Sequence, residues 1–157
     1  MARRDIVRVE AMRVSYWPNL GNGKFGGIVK MDAAPRLEPD GRFDPRRVRL
    51  ADLDGSGTAD VLYFTSRGML VYKNESGNSF AEEHLTETVP VDAVSTMSII
   101  DLFGTGTSCV TWATKSSPAA LKYVDPLDSK KPHLLTQIDN SRGLQIRLTN
   151  TPSTQYY

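Results

Sequence analysis

The sequence predicts an all-β chain, and three observations carry that prediction. Turn residues, 12 glycines and 9 prolines, are spread over the whole 157-residue length. Between them lie short runs rich in Val, Ile, Leu, Tyr and Thr, the composition of strands. No stretch keeps apolar residues at helical spacing for three turns. Strands are expected at 6–10, 13–17, 47–51, 60–65, 69–73, 97–101, 109–113, 120–124, 133–137 and 144–149.

Composition narrows the function classes. The hydrophobic fraction of 39% and charged fraction of 24% are those of an ordinary globular domain with a sizeable core. A formal net charge of +1, evenly spread, argues against nucleic acid or an anionic membrane as partner. No run of eighteen apolar residues exists to span a bilayer. The opening Met-Ala-Arg-Arg-Asp lacks the apolar core of a secretory signal, and the single Cys109 rules out an internal disulfide framework.

An internal repeat organises the chain. The stretch Asp60-Val-Leu-Tyr-Phe-Thr-Ser-Arg-Gly-Met-Leu-Val-Tyr72-Lys-Asn74 reads as strand, tight turn and second strand. Earlier, Asp5-Ile-Val-Arg-Val-Glu-Ala-Met-Arg-Val-Ser-Tyr16-Trp-Pro-Asn19 repeats that order, with Tyr16 set against Tyr72. Each copy runs on into an Asn- and Gly-rich turn ending on Phe25 or Phe80. A weaker third copy begins at Cys109 and closes near Tyr123. The steps, 55 residues from Asp5 to Asp60 and 49 from Asp60 to Cys109, match a four-stranded propeller blade or a comparable β-solenoid unit. The expected fold is therefore a partial β-propeller of about three antiparallel blades, near 1–45, 46–95 and 96–157. The glycine loop before Asp60 has no counterpart before Asp5, so the first repeat opens in mid-loop and the region reads as a fragment of a longer chain.

One loop has the chemistry of a cation site. In Asp52-Leu-Asp54-Gly55-Ser56-Gly57-Thr58-Ala-Asp60, oxygen-bearing side chains fall at positions 1, 3, 5 and 9, and Thr58 can add its carbonyl at position 7. Calcium takes six to eight oxygens, and Gly57 allows the sharp turn such wrapping needs. The candidate Ca²⁺ ligands are thus Asp52, Asp54, Ser56, Thr58 and Asp60. Position 12 is Tyr63 where an EF-hand would place a bidentate Glu. The same loop also reads as a glycine turn in which Asp52 and Asp60 cap backbone amides. The third repeat, Asp101-Leu-Phe103-Gly104-Thr105-Gly106-Thr107-Ser-Cys109, favours that second reading. It keeps both glycines and replaces two ligand positions with Phe103 and Cys109.

These residues carry a family resemblance. The run from Phe43 to Asp60 resembles the FG-GAP/VCBS-type propeller segment in the B component of bacterial insecticidal toxin complexes, relatives of SpvB and of Rhs/YD-repeat proteins. Tyr16-Trp-Pro-Asn-Leu-Gly-Asn-Gly-Lys-Phe25, Asp101-Leu-Phe-Gly-Thr-Gly-Thr107, Lys131-Pro-His-Leu-Leu135 and Pro152-Ser-Thr-Gln-Tyr156 extend the likeness in the family's order. The stretch Leu144-Gln-Ile-Arg-Leu-Thr-Asn150 departs from it. The resemblance implies a secreted, non-catalytic module that closes a toxin shell, docks on the pore-forming component and gates release of cargo. An integrin- or lectin-like adhesion propeller, binding protein or glycan through Ca²⁺-ordered loops, is the alternative.

Catalytic patterns are lacking. His84 and His133 lie in different repeats beside no nucleophile motif, and the chain has no Gly-x-Ser-x-Gly elbow, His-Glu-x-x-His or Walker loop. Cys109 reads as a small buried residue. Trp17, Trp112, Tyr72 and Tyr123 read as packing residues, and Glu82-Glu83-His84 as a solvated loop.

Overall fold

The computed structural model describes residues 4–38, 41–82, 84–86, 96–114 and 117–156. The described secondary structure is all β apart from two short 3-10 turns, Pro45–Arg47 and Ser153–Tyr156. The strands in chain order are β1 (Ile6–Glu10), β2 (Arg13–Trp17), β3 (Asn19–Gly21), β4 (Lys24–Phe25), β5 (Val29–Lys30), β6 (Val48–Ala51), β7 (Asp60–Thr65) and β8 (Gly68–Tyr72). They continue as β9 (Asn74–Glu75), β10 (Ser79–Phe80), β11 (His84–Thr86), β12 (Thr96–Ile100), β13 (Cys109–Thr114), β14 (Ser117–Val124), β15 (Gln137–Asp139) and β16 (Gln145–Arg147). The chain packs into two compact units, Met1–Ala51 with Thr58–Val91, and Asp52–Gly57 with Asp92–Tyr157.

The first unit holds two antiparallel sheets, β1-β2-β5 and β6-β7-β8-β11. Each is interrupted at the same place by a two-stranded hairpin, β3-β4 in one and β9-β10 in the other. The hairpin turns are built alike, with Asn22 and Gly23 at φ 51° and 73°, and Ser76 and Gly77 at 58° and 81°. Paired left-handed residues suit the twist of a tight hairpin; the β3-β4 loop has two residues, and the β9-β10 loop adds Asn78 as a third.

The repeat is visible in its hydrogen bonds. Asn19 donates its backbone amide to Asp5 Oδ1 at 2.7 Å and its side-chain amide to the Arg4 carbonyl at 3.0 Å. Asn74 does the same to Asp60 Oδ1 at 2.8 Å and to the Ala59 carbonyl at 2.9 Å. This brace fixes the alignment of the two copies. Ile6 pairs with Trp17 where Val61 pairs with Tyr72, so the aromatic that closes the first hairpin is Trp17 and not Tyr16.

The core of the first unit lies between its two sheets. Val61 opposite Tyr72 and Tyr63 opposite Leu70 share one face of the second sheet. They cluster with Val14, Met31, Leu37 and Phe80, flanked by Val9, Tyr16 and Val48. Burial continues on the reverse face, where Leu62, Phe64, Met69 and Val71 are also buried. That two-sided burial is why 60–72 reads as nearly continuous apolar sequence. Tyr63 stacks on Phe43 at 5.8 Å, and its hydroxyl accepts the Asp44 amide at 3.3 Å. Burial holds its phenol above the usual tyrosine range.

The second unit contains the sheet β12-β13-β14 and the ribbon β15-β16. Cys109, Val110, Thr111 and Trp112 are buried along β13. The strand expected at 133–137 is not formed. His133 sits in the left-handed region at φ 62°, and the strand starts at Gln137. Asn140 shapes the turn that follows, because its side chain accepts the amides of Arg142 and Leu144 at 2.9 and 3.0 Å. In the Glu82-Glu83-His84 stretch, Glu83 lies outside the described residues, and His84 stands in β11 opposite Val71.

Candidate functional site

The connection from β6 to β7 is the Asp52 loop, and its backbone is shaped by its own acids. Asp52 accepts the amides of Gly55 and Ser56 on Oδ1, at 2.8 and 3.0 Å, and that of Gly57 on Oδ2 at 2.8 Å. Asp54 Oδ1 accepts the Ser56 amide at 3.0 Å. Gly55 and Gly57 supply the positive φ angles of 71° and 90° that let these amides converge. Asp60, fully buried, accepts the Asn74 amide, and the Thr58 hydroxyl donates to the Asn74 carbonyl at 3.2 Å.

Capping does not use up these carboxylates, since each oxygen has two lone pairs. Asp52, Asp54 and Asp60 each offer an oxygen within 4.8 Å of the other two. With Ca–O distances of about 2.3–2.6 Å, that spacing fits three ligands around one hard cation. Of the five candidate ligands, the structure therefore groups the three aspartates. Ser56 and Thr58 take part in the turn through the amide and hydroxyl bonds just described. The turn in this structure is held by hydrogen bonds, and its three carboxylates have a spacing that suits a hard cation.

The third repeat has a turn of related build. Asp101 accepts the amide of Thr105 on Oδ1 at 3.0 Å and that of Gly106 on Oδ2 at 2.8 Å, repeating the Ser56 and Gly57 bonds of the Asp52 cap. Gly104 and Gly106 have φ of 65° and 81°. At the place of Asp60 stands Cys109, whose thiol is held above its usual range, first by burial and then by Asp125 and Asp101.

Within the second unit these two turns lie against each other. Ser108 donates its amide to the Leu53 carbonyl at 2.8 Å and its hydroxyl to the Asp52 carbonyl at 3.0 Å. A Cβ on Gly55 would stand 2.6 Å from the Gly106 carbonyl oxygen and 2.7 Å from Lys131 Nζ. Lys131 lies equally close to Gly106, where a Cβ would meet Nζ at 2.9 Å. His133 Nε2 reaches to 3.9 Å from Asp54 Oδ2. Thr154 covers Gly104 and directs its hydroxyl at the Phe103 and Gly104 carbonyls at 3.5 and 3.4 Å. The distant segments Lys131-Pro-His133 and Pro152-Ser-Thr154 thus converge on the glycine turns. Sequence spacing alone could not show this.

No family model matches the chain, and no curated protein matches it. Solved structures do. The crystal structure of TcdB2-TccC3 matches with a TM-score of 0.76 and 32% identity, over 90% of this chain and 7% of that one. The Photorhabdus luminescens Tc holotoxin pore matches with a TM-score of 0.76 and 32% identity, over 90% of this chain and 6% of that one. The likeness is to one segment of a toxin complex. This chain spans under a tenth of the length of the structures it matches. A lectin from Agrocybe aegerita that recognises non-reducing terminal N-acetylglucosamine is 23% identical with a TM-score of 0.57, over 75% of this chain and 34% of that one. At that identity the likeness is one of fold alone. Among the described residues no helix is long and apolar enough to cross a membrane, which says nothing of a β-barrel.

Proposed function

We propose that this chain is a non-catalytic structural and protein-interaction module of a bacterial toxin-complex B-type component. In this reading its sheets are FG-GAP/VCBS-type blades of the propeller that closes the secreted toxin shell and docks on the pore-forming component. The observation that carries it is the match of 90% of the chain to Tc toxin-complex structures at 31–32% identity. The braced repeat supports it, because a blade array is built by repeating one sheet unit, and matching Asp–Asn bonds recur in two sheets here. Calcium at Asp52, Asp54 and Asp60 would tie a blade loop without taking part in any reaction.

The test is segment exchange. This 157-residue sequence replaces the matching segment of a TcdB2-TccC3-type protein, and the hybrid is mixed with its pore-forming component. The expected result is a shell that assembles and binds the pore component. A hybrid that folds, by circular dichroism and size-exclusion chromatography, yet neither closes nor binds would overturn the reading.

A further inference from the structure

We infer that a cavity beside the β1-β2 and β7-β8 turns binds an acidic side chain of a protein partner. Arg36 and Arg67 hold the carboxylate, and an aliphatic residue next to it in the partner rests on an apolar floor. The cavity measures about 470 Å³, and its lining includes Met12, Arg36, Leu37, Glu38, Arg67 and Leu70. That size lies within the range of small-ligand pockets. All six residues belong to the first unit. The cavity stands at the end of β7 away from the aspartate loop, since β7 leaves that loop at Asp60 and ends at Thr65, before the Ser66-Arg67 turn.

Both arginines stand on braced backbone. Leu37 donates its amide to the Ala11 carbonyl at 2.9 Å, and the Arg36 carbonyl accepts the Tyr72 hydroxyl at 3.4 Å. Arg67 donates its amide to Thr65 Oγ1 at 3.2 Å, and that hydroxyl donates to the Gly68 carbonyl at 3.0 Å. Their guanidinium groups are a different matter. Among the described residues the arginine ion pairs use Arg8, Arg13, Arg46 and Arg47, and neither Arg36 nor Arg67. Nor does the turn need a cation at this place. In the alignment fixed by Asp5 and Asp60, Met12 fills in the first hairpin the position that Arg67 fills in the second.

Charge selects the occupant. Glu38 is the acid in the lining, and it already faces Arg47 at 3.7 Å. Arg36 and Arg67 therefore set two cations against one engaged anion. A single carboxylate answers that excess, and the planar guanidinium fork matches it in bidentate geometry. A phosphate dianion would be held against Glu38 at a higher electrostatic cost. Leu37 and Leu70 are buried and form the floor, while Met12 is exposed at the wall, so a residue flanking the acid gains by being aliphatic. The inference rests on the cavity and not on the toxin-complex reading, so each can fail alone.

The probe is a fluorescently labelled Gly-Leu-Glu-Leu-Gly peptide, blocked at both ends and titrated onto the whole chain by anisotropy. Its control carries Gln in place of Glu. The expected result is saturable binding at submillimolar concentration, about tenfold tighter than the control and weakened by added salt. Arg36→Gln and Arg67→Gln should each weaken it about fivefold or more, and Arg142→Gln should leave it unchanged. Glu38→Gln removes the competing anion and should tighten binding by about threefold, a gain that damage to the fold would not produce. Circular dichroism of each variant confirms that the fold is kept before binding is read. Absent binding, equal affinity for the Gln peptide, or unchanged binding in both arginine variants overturns the proposal. So does displacement of the peptide by an equal concentration of inorganic phosphate, since the site would then take anions at large.

Discussion

Replacing Gly55 or Gly57 with alanine separates two costs that the loop structure combines. Both glycines have positive φ, 71° and 90°. An L-residue in that region costs ~1–2 kcal/mol. At Gly57 a Cβ meets nothing within 4 Å, so this conformational cost is the whole expectation. At Gly55 the new methyl would stand 2.6 Å from the Gly106 carbonyl oxygen, a backbone atom that cannot swing aside. Overpacking of that kind adds ~1–3 kcal/mol. Gly57→Ala should therefore lose ~1–2 kcal/mol and Gly55→Ala ~2–5 kcal/mol. For a chain of this length each kcal/mol lowers the melting temperature by ~2–4 °C. Gly106→Ala supplies an internal control, because its close neighbour is the end of Lys131, with Nζ at 2.9 Å and Cδ at 3.0 Å. Lys131→Ala should restore the steric part of Gly106→Ala and little of Gly55→Ala. Urea unfolding followed by Trp112 fluorescence, in a Trp17→Phe background, reads the second unit directly. If Gly55→Ala proves no worse than Gly57→Ala, the close approach of the two turns is refuted.

Two further outcomes follow from the same bonds. Asp60→Ala leaves the Asn74 amide without its charged acceptor at a buried position, and should cost ~1.5–3 kcal/mol by urea titration. Asp5→Ala removes the equivalent bond at an exposed one and should cost well under half as much; equal losses would argue against the burial difference. Stability should also fall in alkali. Burial, with Asp125 and Asp101, raises the Cys109 thiol in the folded state, so the unfolded thiol ionises first, near its ordinary pKa of ~8.5. The stabilisation is complete below that pH and is lost as pH rises towards the folded value, at up to ~1.4 kcal/mol per pH unit. Tyr63 adds a similar loss above pH ~10. Thermal melts from pH 7 to 10 should steepen above about pH 8.5 in the parent and flatten there in Cys109→Ala.

The sequence was most legible where burial was two-sided. β7 and β8 were placed to within a residue because Val61, Leu62, Tyr63 and Phe64 are all buried and the run between turns is unbroken. The short hairpins β3-β4 and β9-β10 read only as Asn- and Gly-rich turns, since two- or three-residue strands carry no periodicity of their own. The strand placed at 133–137 followed the aliphatic pair Leu134 and Leu135. In the fold both are exposed, at 42% and 58%, and the ladder instead pairs Ile138 with Ile146. At the candidate site, the carboxylates and glycines were visible because they sit together in nine residues. Lys131, His133 and Thr154 were not, because their approach to the turns depends on tertiary folding. The only sequence signal for them was the resemblance that listed their motifs alongside the loop.

Calcium can be tested by a reversal of sign. The Asp101 turn closes with two of the three amide caps of the Asp52 turn, yet carries Phe103 and Cys109 at two of the ligand places. The expected outcome is that loss of calcium alone does not unfold the turn. What a cation would relieve is crowding of charge among Asp52, Asp54 and Asp60, whose oxygens lie within 4.8 Å and two of which are buried. At an effective dielectric of ~20, two unit charges at that separation repel by ~3.5 kcal/mol before relaxation. With chelator present, Asp54→Asn should raise the melting temperature of the chain. With calcium at a hundredfold excess over its Kd, the parent should gain ~2.7 kcal/mol and Asp54→Asn should gain little. The order of the two proteins would then invert between chelator and calcium. If Asp54→Asn is the less stable protein in both conditions and calorimetry shows no heat of binding, the aspartates are turn-formers only, and the loop serves the sheet rather than a metal.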